Sequence, residues 1–125
     1  MNVIQTNDAP AAIGPYSQAI VANGMVYASG QIPLDVQTGD LINGDIKAQT
    51  EKVIENLKSV LLAANSDISH VVKTTCFLTD MNDFTAFNEV YAKHFTTTKP
   101  ARSTVAVADL PRGAMVEIEA IAVVI

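Results

Sequence analysis

The chain has 125 residues, 49% of them hydrophobic but only 17% charged, and its thirteen acids and eight bases leave a net charge of −5. That length suits one domain, residues 1–125, and lets a chain bury roughly two-thirds of its unfolded surface without staples. Only two arginines are present, Arg102 and Arg112, which speaks against a surface built to neutralise phosphates. The single cysteine, Cys76, excludes an intrachain disulfide and fits a reducing, cytoplasmic setting. No basic region followed by an apolar stretch opens the chain, so no leader is read. The longest apolar runs, residues 60–64 and 120–125, fall far short of a membrane span.

In chain order, Ala19–Ala22 and residues 25–29 are short β-type runs around Asn23-Gly24, a strong two-residue hairpin signal. Pro33, Gly39 and Asn43-Gly44 punctuate a loop. Over residues 45–64 the apolar Ile46, Val53, Ile54, Leu57, Val60, Leu61 and Ala64 recur at helical spacing. Val71–Leu78 is rich in β-branched and aromatic residues and reads as a strand. Residues 83–95 read as a second helix, with Phe84, Phe87, Tyr91 and Phe95 on one stripe and Asn82 as its N-cap. Residues 103–107 and 115–125 read as strands joined through Leu110-Pro111-Arg112-Gly113 into an antiparallel hairpin.

The order β-β-β-α-β-α-β-β is α+β, with helical crossovers that return the chain to parallel strands. Two helices cover one face of such a mixed sheet. In the last strand Val116, Ile118, Ala120, Ala122 and Val124 form a continuously apolar face, as helix cover requires. The other face carries Met115, Glu117, Glu119, Ile121 and Val123. Half of it is apolar too, so a second subunit is expected over it.

Few residues present themselves for chemistry. No glycine loop of the phosphate-binding kind occurs, and no C-x-x-C or H-E-x-x-H pattern. His70 and His94 stand alone and read as surface or helix-end residues rather than metal ligands. Cys76 lies in a strand that looks buried and reads as structural. Arg102 is different. It opens a strand directly after Pro100-Ala101 in an acidic, arginine-poor chain, and its rigid fork suits a carboxylate. A plain salt bridge to Glu117 or Glu119 would serve equally well. A hairpin about Pro111 would pair Ala106 with Glu117, Thr104 with Glu119 and Arg102 with Ile121. All of these would then lie on the face the helices leave open.

Four runs carry a resemblance: Ala12-Ile13-Gly14-Pro15-Tyr16-Ser17-Gln18-Ala19, Ser29-Gly30-Gln31-Ile32-Pro33, Pro100-Ala101-Arg102-Ser103 and Glu117-Ile118-Glu119-Ala120-Ile121-Ala122. With Val72-Lys73-Thr74-Thr75 and Asn88 they cover nearly the whole chain in order. The sequence resembles the RidA (YjgF-type) family of reactive-intermediate enamine/imine deaminases. The resemblance implies a chorismate-mutase-like α+β fold with two helices on one face of the sheet, and a homotrimer with a site in each cleft between subunits. It implies hydrolysis of 2-imino acids such as 2-iminobutanoate and 2-iminopropanoate to 2-oxo acids and ammonia, with no cofactor; the isolated histidines, acidic charge and short apolar runs separately argue against a metal, a nucleic-acid partner and a membrane. Arg102 would clamp the substrate carboxylate and Glu117 would position the attacking water. Tyr16, Ser29, Gly30, Asn88 and Thr104 would line the pocket.

Two departures from the family pattern stand out. Thr104 occupies a position where many members have cysteine, and the connection 96–99 is shorter than in many relatives. Two other functions compete with the enzyme: a trimer that binds small 2-oxo acids for regulation, and an RNA-cleaving translation inhibitor. The net charge of −5 weighs against the second.

Overall fold

The computed structural model describes residues Met1–Ile125. Eight elements follow in chain order: β1 (Asn2–Ile4), β2 (Ala19–Ala22), β3 (Met25–Gln31), α1 (Ile46–Ala63), β4 (Val71–Leu78), α2 (Phe84–His94), β5 (Ala101–Ala106) and β6 (Val116–Val123). Three early strands are expected from the order above, but only two carry local signals; the third is β1. The six strands form one mixed sheet in the order β1-β2-β3-β6-β4-β5.

The local signals act as their chemistry requires. Asn23 and Gly24 both take positive φ, 51° and 73°, and close the β2–β3 hairpin with Ala22 opposite Met25. Two left-handed residues give the turn whose twist matches the strands it joins. Asp45 caps α1, its carboxylate accepting from the Ala48 amide at 3.0 Å. At α2 the cap differs from expectation. Asp80, not Asn82, supplies the side-chain acceptor, and its partner is the Asn82 amide. A short 3₁₀ turn, Met81–Asp83, thus precedes the helix.

Every apolar position predicted for the first helix is buried, together with Phe87, Tyr91 and Phe95 of the second stripe. Both helices pack on one face of the sheet, against Val26, Ala28, Cys76, Leu78, Val116, Ile118, Ala120 and Ala122. The alternation along β6 is therefore as expected, with its even positions in the core. The opposite face stays open, and Tyr27, Val105 and Val123 are among its exposed apolar residues.

The predicted hairpin between the last two strands does not form. β5 pairs with β4 in parallel, Arg102 beside Thr74 and Thr104 beside Cys76. β6 pairs antiparallel with both β3 and β4, placing Glu117 beside Phe77 and Glu119 beside Thr75. β4 thus separates the two strands that look adjacent along the chain, and the pairs Arg102–Ile121, Thr104–Glu119 and Ala106–Glu117 do not exist. Directly paired residues point to the same side of a sheet. Arg102 and Thr104 therefore join Thr74 and Cys76 on the helix side, while Glu117 and Glu119 occupy the open side.

Candidate active site

Arg102 enters the space between β5 and α2 and lies against the aromatic stripe of that helix. Its guanidinium carbon is 4.6 Å from the ring centre of Tyr91, 5.6 Å from that of Phe84 and 6.0 Å from that of Phe87. Such faces attract a cation through the ring quadrupole and fix its plane. Nη1 donates to Oδ1 of Asn88 at 2.6 Å. Tyr91 is itself anchored, its hydroxyl 2.7 Å from Oγ1 of the fully buried Thr74 and its ring stacked on Phe95 at 4.3 Å.

The ion pairs of the chain are Lys47–Glu89, Lys52–Glu55, His70–Asp67, His94–Glu51 and Arg112–Asp40. The alternative salt bridge of Arg102 to Glu117 or Glu119 is therefore not made. A guanidinium has five donors, and the only side-chain acceptor on this one is a neutral amide. The rest is free for a ligand. A cavity of about 660 Å³ opens beside it, bounded by Asn88, Tyr91, Phe95, Thr96, Lys99 and Pro100. Two residues along β5, Thr104 keeps its hydroxyl oxygen buried without a hydrogen-bond partner.

A second group forms on the other side of the sheet. Between Ala28 and Gln31 β3 uses one residue more than β6 does, a bulge that carries Ser29 and Gly30. Ser29 Oγ donates to the Ser17 carbonyl at 2.6 Å and its amide to that of Gln18 at 2.9 Å, tying the segment with Tyr16 to the bulge. Gln18 holds the same segment from beneath, donating to the Pro10 carbonyl at 2.8 Å and accepting from the Thr6 amide at 2.7 Å. Tyr16 is 55% exposed and shares a small cavity with Gly30.

Glu117 sits directly against Gly30, where an added Cβ would stand 2.8 Å from its Cδ. Burial raises the Glu117 pKa above the ordinary carboxylate value, and the neighbouring Glu119 charge raises it further. Within one chain Arg102 lies across the sheet and does not offset this rise.

The predicted residues thus fall into two groups: Arg102, Asn88 and Thr104 beside α2, and Tyr16, Ser29, Gly30 and Glu117 on the open face. One chain does not bring them together. Tyr91 and Lys99 belong to the first group and were not among the predicted site residues. Tyr91 had a signal: Phe84, Phe87, Asn88 and Tyr91 share one helical face, so the residue predicted to line the pocket stands on the aromatic stripe. Cys76 is buried as expected, and burial pushes its thiol up to about 11. Such a thiol stays neutral and unreactive. The histidines pair with surface carboxylates, and no three His, Cys, Asp or Glu side chains gather as metal ligands. No helix is long and apolar enough to cross a membrane.

A family model described as Endoribonuclease L-PSP matches residues 6–124. A mouse protein named 2-iminobutanoate/2-iminopropanoate deaminase is 50% identical over 121 residues, spanning 97% of this chain and 90% of its own. A Lactococcus lactis protein that bears a regulator's name, AldR, is 51% identical over 122 residues, spanning 98% and 97%. The crystal structure of RidA from an Antarctic Psychrobacter superposes with a TM-score of 0.95 at 45% identity, covering 99% of this chain and 100% of that one.

Proposed function

The chain belongs to the endoribonuclease L-PSP, or RidA (YjgF-type), family, and from that premise we propose that it hydrolyses the imines of small 2-amino acids to 2-oxo acids and ammonia. One observation carries this reading: Arg102 is fixed by three rings and Asn88, paired with no acid, and open to a cavity that admits a carboxylate. Its fork meets two carboxylate oxygens at once.

The imine carbon is already electrophilic, so the remaining needs are a placed water and a group that moves its two protons in turn. Glu117 fills that role. It takes one proton from the water as oxygen bonds to C2 of the protonated imine and returns it to nitrogen of the resulting carbinolamine; as the C–N bond breaks and ammonia leaves, the remaining hydroxyl proton passes to Glu117 and on to solvent, leaving the 2-oxo acid. A carboxyl with a raised pKa suits both directions of that transfer. Because Glu117 and Arg102 lie on opposite sides of the sheet, the site uses Arg102, Asn88 and Thr104 of one copy with Tyr16, Ser29, Gly30 and Glu117 of the next. A homotrimer with three such clefts satisfies this and covers the open sheet face.

A regulatory reading has a specific observation behind it, the regulator's name on a relative of equal similarity. The test is an assay in which an amino-acid oxidase generates 2-iminopropanoate and release of the 2-oxo acid is followed. Faster release with the protein present supports the enzyme. Unchanged release, with the 2-oxo acid bound at Arg102, supports the regulator. Cleavage of RNA would overturn both, and the net charge of −5 speaks against it.

A further inference from the structure

The cavity beside Arg102 is lined by cations in an acidic chain. Of the residues of one chain that line it, Arg102 and Lys99 are cations and none is an acid, in a chain where acids outnumber bases thirteen to eight. Neither cation belongs to an ion pair. Its volume of about 660 Å³ lies within the roughly 300–1,000 Å³ of cavities that take much larger ligands than a three-carbon acid. Lys99 precedes Pro100, and the residue before a proline is held extended. Arg102 is pinned by its rings and Asn88, while the Lys99 ammonium rides on a flexible stem three residues earlier in the same cavity wall. Two separate cations of this kind suit two carboxylates on one molecule better than one compact dianion.

We infer that this pocket selects 2-imino acids bearing a second, distal carboxylate, with Arg102 on the 2-carboxylate and Lys99 on the distal one. The inference rests on the deaminase reading for its reaction, which is the same hydrolysis, and adds to it a substrate class and a specificity-determining residue. The two cations suit the two ends. The reacting end must be held in one orientation, and the planar fork does that; the distal carboxylate varies in position with chain length, and a flexible ammonium follows it.

The experiment compares the imines of alanine and aspartate, each generated in situ by an oxidase, and measures binding of the matching 2-oxo acids by calorimetry at low salt. The wild-type chain is set beside Lys99→Met, which keeps most of the stem and loses the charge, and Lys99→Arg, which keeps a charge. The wild type is expected to favour the dicarboxylate in both kcat/KM and affinity. That preference falls about tenfold in Lys99→Met, as loss of one charge-assisted hydrogen bond implies, and is largely retained in Lys99→Arg. An equal preference in wild type and Lys99→Met, or none in the wild type, overturns the inference. If neither imine is turned over while a Lys99-dependent preference for the 2-oxo dicarboxylate persists, the deaminase reading fails and the ligand class stands.

Discussion

A Cβ at Gly30 would stand 2.8 Å from Cδ and 3.0 Å from Cγ of Glu117, closer than packed carbon atoms tolerate. The clash falls on the end of a flexible side chain, so Gly30→Ala would move the carboxylate aside rather than unfold the sheet. We expect a small change in melting temperature and a loss of turnover of about 10²-fold, the scale set by a misplacement of about 1 Å. Thermal unfolding and kcat on the same sample check both halves.

Glu117 also carries the pH dependence. Its pKa is raised by burial and by Glu119, so the native state holds this proton over a range where the unfolded chain has released it. Stability from this group is complete below the ordinary carboxylate value and is lost as pH rises through the raised one. Activity runs the other way, since the base must be ionised: kcat/KM rises with pH along an acid limb displaced upward from the ordinary carboxylate value. Glu119→Gln removes the like charge and should move that limb to lower pH. Glu117→Gln should abolish it and cost about 10²-fold or more in rate. A limb unmoved in Glu119→Gln would show that another group controls the profile.

At the scale of elements, α2 does more than cover the sheet. Its stripe of Phe84, Phe87 and Tyr91 is legible as a core face from spacing alone, yet it is also the platform on which Arg102 lies. Two substitutions at Tyr91 separate these roles. Tyr91→Phe keeps the ring and strands the buried Thr74 hydroxyl, so it should cost about 1–3 kcal/mol of stability with little change in KM. Tyr91→Leu removes the ring and should raise KM for the imino acid about five- to thirtyfold, the range that 1–2 kcal/mol of cation–π attraction implies. Equal KM values for the two variants would leave Tyr91 a core residue only.

The strands show where local signals end. Asn23-Gly24 specifies its hairpin because the turn needs two positive-φ residues and the partners are its own neighbours. The link between β5 and β6 looks similar, but the partner of β5 is β4, more than twenty residues earlier. No turn residue reports that choice. It reverses the side on which Arg102 and Thr104 appear. The bulges act in the same way: an extra residue near Gly30 and another near Val72 shift parity, so Gln31 and Val71 are buried where simple alternation would expose them. Candidate residues were thus readable by type, while their faces depended on long-range pairing.

For the whole molecule, the division of the site into two groups has a consequence for mixtures. Arg102→Ala should retain Glu117 and its bulge, and Glu117→Gln should retain Arg102 and its aromatic platform, because the two sit on opposite sides of the sheet. Each homogeneous assembly lacks one half of every cleft and should be inactive. When the two variants are unfolded together and refolded as mixed assemblies, some clefts receive Arg102 from a Glu117→Gln chain and Glu117 from an Arg102→Ala neighbour. With random pairing about a quarter of the clefts of a cyclic assembly are complete, so the mixture should recover about that share of wild-type activity. Light scattering on the same sample should give a trimer mass. A monomer mass would remove the shared cleft altogether, and a trimer whose mixtures stay inactive would show that each site is built within one chain, by a rearrangement that brings Glu117 and Arg102 to the same side.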